Sequence, residues 1–200
     1  MKLTNFSNIF APLSTVALIL SPIAAQAGCL SASSTLDGAI NGAGSYTTPE
    51  GDQFDLEIVD YTPHGENSLG FVVAEMRPID YECQGANEGL ALKSAAMRLN
   101  FTGDQAPKSV KISYCTAYPV INLSAGTEMP PVYHDNWRTT TPVPAEIPDD
   151  NGNMVQVQNE PNWNGDIYLF EANITLTSDA GVNTVMFGMN DGHIIDVCVD

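Results

Sequence analysis

Apolar residues at every second position run through most of this chain, and that period admits little other than a sheet. Phe54, Leu56 and Ile58 alternate with Asp55, Glu57 and Val59, and Phe71, Val73 and Glu75 alternate with Val72, Ala74 and Met76. Successive side chains of a strand point to opposite faces, so each segment reads as a strand, the second buried on both faces for part of its length. Met97, Leu99 and Phe101 alternate with Arg98 and Asn100. After the turn Thr102-Gly103-Asp104-Gln105, Val110, Ile112 and Tyr114 alternate with Lys111 and Ser113, and the pair reads as neighbouring antiparallel strands. Tyr168, Phe170, Ala172, Ile174 and Leu176 share one face of a long strand, Ser178-Asp179-Ala180-Gly181 turns, Val185 to Phe187 returns, and Ile195, Val197 and Val199 close the chain. Only Glu88 to Met97 offers a 3.6-residue stripe, and its flanking strand pattern explains it equally. The expected fold is all-β, a single antiparallel β-sandwich with long loops and with turns made of Gly, Asn, Asp and Pro.

The first thirty residues follow another pattern. Lys2 precedes an apolar run from Ile9 to Ile23, then Ala25-Gln26-Ala27 and Gly28-Cys29. A positive start, a modest apolar centre and an A-x-A end describe a secretory signal peptide over 1–27, which leaves a β-sandwich domain over 28–200. Pro12, Ser14, Thr15, Ser21 and Pro22 interrupt the run. It falls short of the roughly 20 apolar residues of a spanning helix, so a secreted or periplasmic protein without a transmembrane anchor is expected.

Cysteine usage fits that compartment. Cys29, Cys83, Cys115 and Cys198 all follow the leader, and an even count in an exported chain reads as two disulfides. Three pairings are possible. A β-sandwich often brings its first and last strands side by side, which favours Cys29 with Cys198 and leaves Cys83 with Cys115. The rival reading lipidates Cys29 as an N-terminal anchor, but Gln26 stands where such a signal usually has Leu, and an odd cysteine would remain. No C-x-x-C pair supports zinc.

The chain carries a formal charge of −17, with 24 acidic residues against 7 basic ones, of which Lys2 lies in the leader. Such a field repels nucleic acid and anionic lipid headgroups and suits metal cations, neutral sugars or plain solubility. Catalysis finds no motif: there is no G-x-S-x-G elbow, H-E-x-x-H helix, phosphate loop or dinucleotide fingerprint. His64, His134 and His193 are scattered in turn-like settings, and a copper site would need the fold to gather His134, His193 and Met189. Asn100, Asn122 and Asn173 begin N-x-S/T triplets, incidental under a bacterial leader.

A ligand site is expected in the Pro-, Asn- and Thr-rich region from Gly126 to Gly165, because function concentrates in long loops held by a rigid scaffold. Within it, Asp149-Asp150-Asn151-Gly152-Asn153 separates Val143 to Ile147 from Met154 to Val157, a hairpin signal centred on Asn-Gly. Those side chains read chiefly as a polar turn and secondarily as oxygen ligands. Tyr133, Asp135, Asn136 and Trp137, followed by Arg138, and Trp163 between Asn162 and Asn164, supply aromatic faces and polar groups for a sugar. The competing reading packs both tryptophans against the sandwich.

The ending Ile174-Thr-Leu-Thr-Ser-Asp-Ala-Gly-Val-Asn-Thr-Val-Met-Phe187, then Gly192-His-Ile-Ile-Asp-Val-Cys-Val199, resembles the last strands of galactose-binding-like jelly rolls and related carbohydrate-binding modules. The resemblance implies a jelly-roll sandwich. It implies a structural calcium held by Asp196, for which Asp200, Glu50 and Asp52 are candidate partners, since calcium takes six to eight oxygens. It implies an exported non-catalytic module that recognises a glycan or a cell-surface component. The alternative is a cell-surface or matrix protein that self-associates through strand edges.

Overall fold

The computed structural model describes residues 28–31, 43–60, 73–79, 83, 85–116, 120–128, 131–134, 142–163 and 170–200. Twelve strands make up this part: β1 Gly28–Ser31, β2 Ala43–Thr47, β3 Gln53–Asp60, β4 Val73–Pro78, β5 Glu88–Phe101, β6 Ser109–Thr116, β7 Val120–Ser124, β8 Val132–His134, β9 Glu146–Pro148, β10 Met154–Trp163, β11 Phe170–Thr177 and β12 Thr184–Val199. The all-β class is as the alternation requires. All twelve join in one antiparallel sheet, with the path β2-β3-β5-β12-β6-β11-β10-β9, β1 and β7 added on β12, β4 on β5 and β8 on β7. The architecture is therefore one continuous sheet. Among the described residues no helix is long and apolar enough to cross a membrane.

Two long strands form the spine. β5 and β12 pair from Asn100 with Thr184 to Leu90 with Ile194, and the ladder skips one position between Ala95 with Met189 and Lys93 with Asp191. Partners change at that level on both outer sides. β5 passes from β3, which ends at Asp60 opposite Ala95, to β4, which begins at Val73 opposite Lys93. β12 passes from β7 to β6 between Met189 and Gly192. Ser94 at the changeover has φ 48°, a left-handed value uncommon outside glycine, and the Lys93–Asp191 ion pair at 3.1 Å lies beside it. A strand that bends can serve two parts of a sheet, and that lets one core form from both ends.

The core follows the alternation. Phe54 and Leu56 of β3, Ile112 and Tyr114 of β6, Ile174 and Leu176 of β11, and Val155 and Val157 of β10 are buried. The intervening Glu57, Gln156, Gln158 and Thr177 are exposed. Tyr114 and Phe187 bring β6 and β12 together with ring centroids 4.9 Å apart.

Two expectations about neighbours fail. β5 and β6 are not adjacent, because β12 lies between them. The turn after Phe101 carries the chain past β12, and Val182 and Phe101 bind this crossing through Val182 N to Pro107 O and Phe101 N to Asn183 O. The terminal segment is a single strand of sixteen residues, whose register against β6 shifts between Ile194 and Asp196. Gly188 and Gly192 let it pass unbroken: a Cβ at Gly188 would stand 2.8 Å from that of Ala96, and one at Gly192 would collide with Met189 and the Cys115 carbonyl. Glu88 to Met97 belongs to β5, which removes the helical alternative.

Both disulfides form as expected, Cys29 with Cys198 and Cys83 with Cys115, and no described cysteine is free. The first joins residues directly opposite one another on β1 and β12. The second is buried against Ile195.

A candidate ligand groove at the β7, β8 and β9 corner

β7 carries the site. Its Ile121 pairs with Tyr133 of β8, and just past its end Ala125 bridges Asp149 in parallel, so the loop after β7 lies against the turn between β9 and β10. A groove of about 310 Å³ opens there. Leu123, Pro131, Ile147 and Pro148 form its apolar surfaces, Tyr133 stands among them, and Glu128, Asp149 and Asp150 bring carboxylates. Among the described residues that line it there is no Lys, Arg or His.

Local chemistry fixes the walls. The Asp149 carboxylate accepts hydrogen bonds from Asn151 N (2.9 Å), Asn153 N (2.7 Å) and Asn153 Nδ2 (2.9 Å). These bonds hold its carboxyl below the ordinary value of 3.8, the Asn153 side chain first among the causes. Gly152 closes the turn with φ 81°. This cluster is therefore the polar turn the Asn-Gly signal describes. Next to it, both oxygens of Asp150 accept from Thr127 N at 3.0 Å. Arg98 Nη2 donates to Thr127 O at 3.4 Å while Nη1 pairs with Glu57 at 2.8 Å. Gly126 has no room for a Cβ, which would collide with the Asp150 carboxylate. Ser124 Oγ donates to the carbonyls of Gly126 and Glu128. The loop is thus clamped from both sides before any ligand arrives.

Tyr133 is the aromatic member of the groove wall. It is only 9% exposed, so most of its ring is packed against the protein. Burial raises its pKa above the ordinary 10.0.

Of the ligand residues expected from sequence, Tyr133 lies in the groove, and Asp135, Asn136 and Trp137 lie outside the described residues, as do Arg138, Asn164, His64 and the leader 1–27. Trp163 ends β10 with its backbone opposite Phe170. Of the four expected calcium ligands, Asp196 stands between Ser31 and Ser113 on neighbouring strands. Glu50 lies against Gly28, opposite Val199 at the end of β12, and Thr48 lies at the same point. Asp52 accepts the Thr48 hydroxyl at 3.0 Å. Among the described residues, no three His, Cys, Asp or Glu gather as a metal site. For copper, Met189 and His193 are buried.

Of the residues lining this groove, the sequence reading names Tyr133 as a ligand residue and Asp149 and Asp150 as a polar turn or oxygen ligands, but not Leu123, Gly126, Glu128, Pro131, Ile147 and Pro148 as site residues. Prolines flanking two very short strands were the legible signal. Compared with family models, curated proteins and solved structures, the chain matches none. Its own geometry has to carry the functional reading.

Proposed function

We propose that this is an exported, non-catalytic binding module that recognises a glycan or another hydroxyl-rich surface component in the β7, β8 and β9 groove. The observation that carries the reading is the groove itself, where Tyr133 stands beside the apolar surfaces of Leu123, Pro131, Ile147 and Pro148 and the carboxylates of Glu128, Asp149 and Asp150. Sugars present hydroxyls to such acceptors and C–H faces to rings and prolines, and few polar groups within an apolar groove are the usual makings of a ligand site. Two disulfides and the leader pattern support export. The groove favours binding over turnover: the Ser124 hydroxyl is spent on two carbonyls and the Asp149 carboxylate is held ionised by its own turn.

The self-assembly alternative gains less support from the strand edges. β9 accompanies β10 only from Met154 to Gln156. Val157 N donates outward to Ala145 O, so Asn159 and Pro161 present their backbones on that same side, and Pro161 has no N–H to offer. Pro78 ends β4 and Pro148 ends β9. Proline at edges blocks pairing between chains.

A panel of soluble oligosaccharides titrated against the 28–200 protein, read by chemical-shift changes, tests the reading. Saturable shifts centred on Tyr133 and Glu128 are expected. If no glycan shifts them and the protein instead forms concentration-dependent oligomers, the module reading fails.

A further inference from the structure

We infer that Cys29–Cys198 is a thiol-exchange site, a bond that a dithiol opens and that re-forms reversibly, with Lys111 favouring release of the Cys198 sulfur as thiolate. Three neighbouring strands place the parts in one row. Cys29 of β1 is directly opposite Cys198 of β12, and Cys198 is directly opposite Lys111 of β6. Residues opposite one another in antiparallel strands share a face, with Cβ atoms about 4.5–5.5 Å apart. Here it is the outer face. Cys29 is exposed and Cys198 and Lys111 are half-buried, while Leu30, Val110, Ile112, Val197 and Val199 alternate with them and belong to the core. An ammonium beside a sulfur favours the thiolate, the form in which a sulfur leaves during exchange. Asp196 and Asp200 oppose it from β12 and its end. Each lies two residues from Cys198, roughly 7 Å along the chain, so the attraction of Lys111 acts at the shorter distance.

The chemistry is a pair of displacements. The first thiolate of the dithiol attacks Cys29 Sγ, the more exposed sulfur. A mixed disulfide forms as the Cys29–Cys198 bond breaks, and the electron pair leaves on Cys198 Sγ in the row with Lys111. The second thiol of the dithiol gives up its proton and displaces Cys29 Sγ. The protein thereby gains two electrons and two protons, and the dithiol departs as a disulfide. Cys83–Cys115 is closed to this attack, since each of its cysteines is 1% exposed and packed with Ile195. Opening also has a structural consequence. Among the described residues β1 pairs with β12 alone, over four residues. β5 leaves β12 at Ile194, and β1 covers the same side of β12 from Asp196 to Val199. Reduction therefore loosens β1 and frees that edge.

The test exposes the 28–200 protein to dithiothreitol without denaturant, followed by alkylation and peptide mass mapping. Lys111→Gln, Lys111→Arg and Lys93→Gln, a remote variant of equal charge to the first, are measured beside the parent once their melting midpoints show them folded. Cys29–Cys198 is expected to open and to re-form with oxidised dithiothreitol while Cys83–Cys115 stays intact. Lys111→Gln should slow the opening about threefold, Lys111→Arg should restore the parent rate, and Lys93→Gln should leave it unchanged. Hydrogen exchange at Leu30 and Ser31 should accelerate on reduction while Ile112 and Ile174 stay protected. No opening, earlier opening of Cys83–Cys115, or failure to re-form would overturn the exchange site. Equal slowing by Lys111→Gln and Lys93→Gln, or none by either, would overturn the role of Lys111. Unchanged hydrogen exchange along β1 would overturn the loosening of the strand.

Discussion

Along β5 and β12 most residues are buried, including Ala91, Ala95, Ala96, Val185, Met186 and Phe187, and small side chains allow other strands to close over both. At the corner of β7, β8 and β9, strands of five, three and three residues are held by loop hydrogen bonds around an open groove. The difference teaches where the molecule keeps its packed core and where it keeps polar groups within reach of solvent. The spine is closed to a ligand. The corner turns a tyrosine ring and three carboxylates toward an open groove.

The largest expected effect lies in the spine. Phe187 is fully buried against Tyr114, so Phe187→Ala should cost about 3–5 kcal/mol, lowering the melting midpoint by roughly 10 °C or more in a domain of this size. Glu128→Gln at the corner should leave the midpoint within about 1 °C, as surface changes usually do. Comparable losses from both would erase the division between scaffold and site.

Next come the disulfides, which sharpen the same division. Cys29 is exposed and its bond closes a span of 169 residues, whereas Cys83 and Cys115 are each only 1% exposed. Reductant without denaturant should therefore open Cys29–Cys198 first, as alkylation and peptide mass mapping would record. Loss of that bond should cost about 3 kcal/mol by releasing a long loop in the unfolded chain. Leu30, buried on β1, would then hold that strand with four pairings and no covalent tie. Labelling of Cys83 before Cys29 would contradict the accessibility argument.

How much of this was legible beforehand differs between the two regions for a physical reason. Alternation reports which side of a strand is buried, so the strands around Phe54, Val110 and Ile174 could be read residue by residue. It does not report which strand lies next to which. β5 and β6 looked like partners because a short turn joins them, and only the long, glycine-bearing β12 decides otherwise by lying between them. The irregular corner carries no period at all. There Tyr133 was found from its chemistry, while Gly126 and Glu128 depend on a contact between loops 23 residues apart, Thr127 with Asp150, that no local pattern announces.

That contact gives the next effect in size. Gly126→Ala pushes a methyl group into the Asp150 carboxylate and should break its two bonds to Thr127 N. A cost of about 1 kcal/mol is expected, with loss of ligand binding out of proportion to it. If affinity survives, the clamp does not shape the groove. Tyr133→Phe removes one hydroxyl at the groove wall and should leave the stability of the free protein within about 0.5 kcal/mol while weakening ligand binding. Unchanged binding would take Tyr133 out of the site.

The smallest effect is a pH dependence confined to the corner. Asp149 has its carboxyl pKa lowered beneath 3.8 by the Asn153 side chain and by backbone donors. Because the folded value lies below the unfolded one, the turn contributes its full stabilisation above about pH 4–5 and loses it as pH falls from 3.8 through the lowered value. The group is almost wholly exposed, so solvent screening keeps the contribution small. Urea midpoints of the parent and of Asp149→Asn should differ slightly at pH 6, and the gap should narrow as pH falls below 3.8 through the lowered value. A gap that stays constant with pH would assign the turn's stability to its backbone bonds and Gly152, and would make the carboxylate a source of groove potential alone.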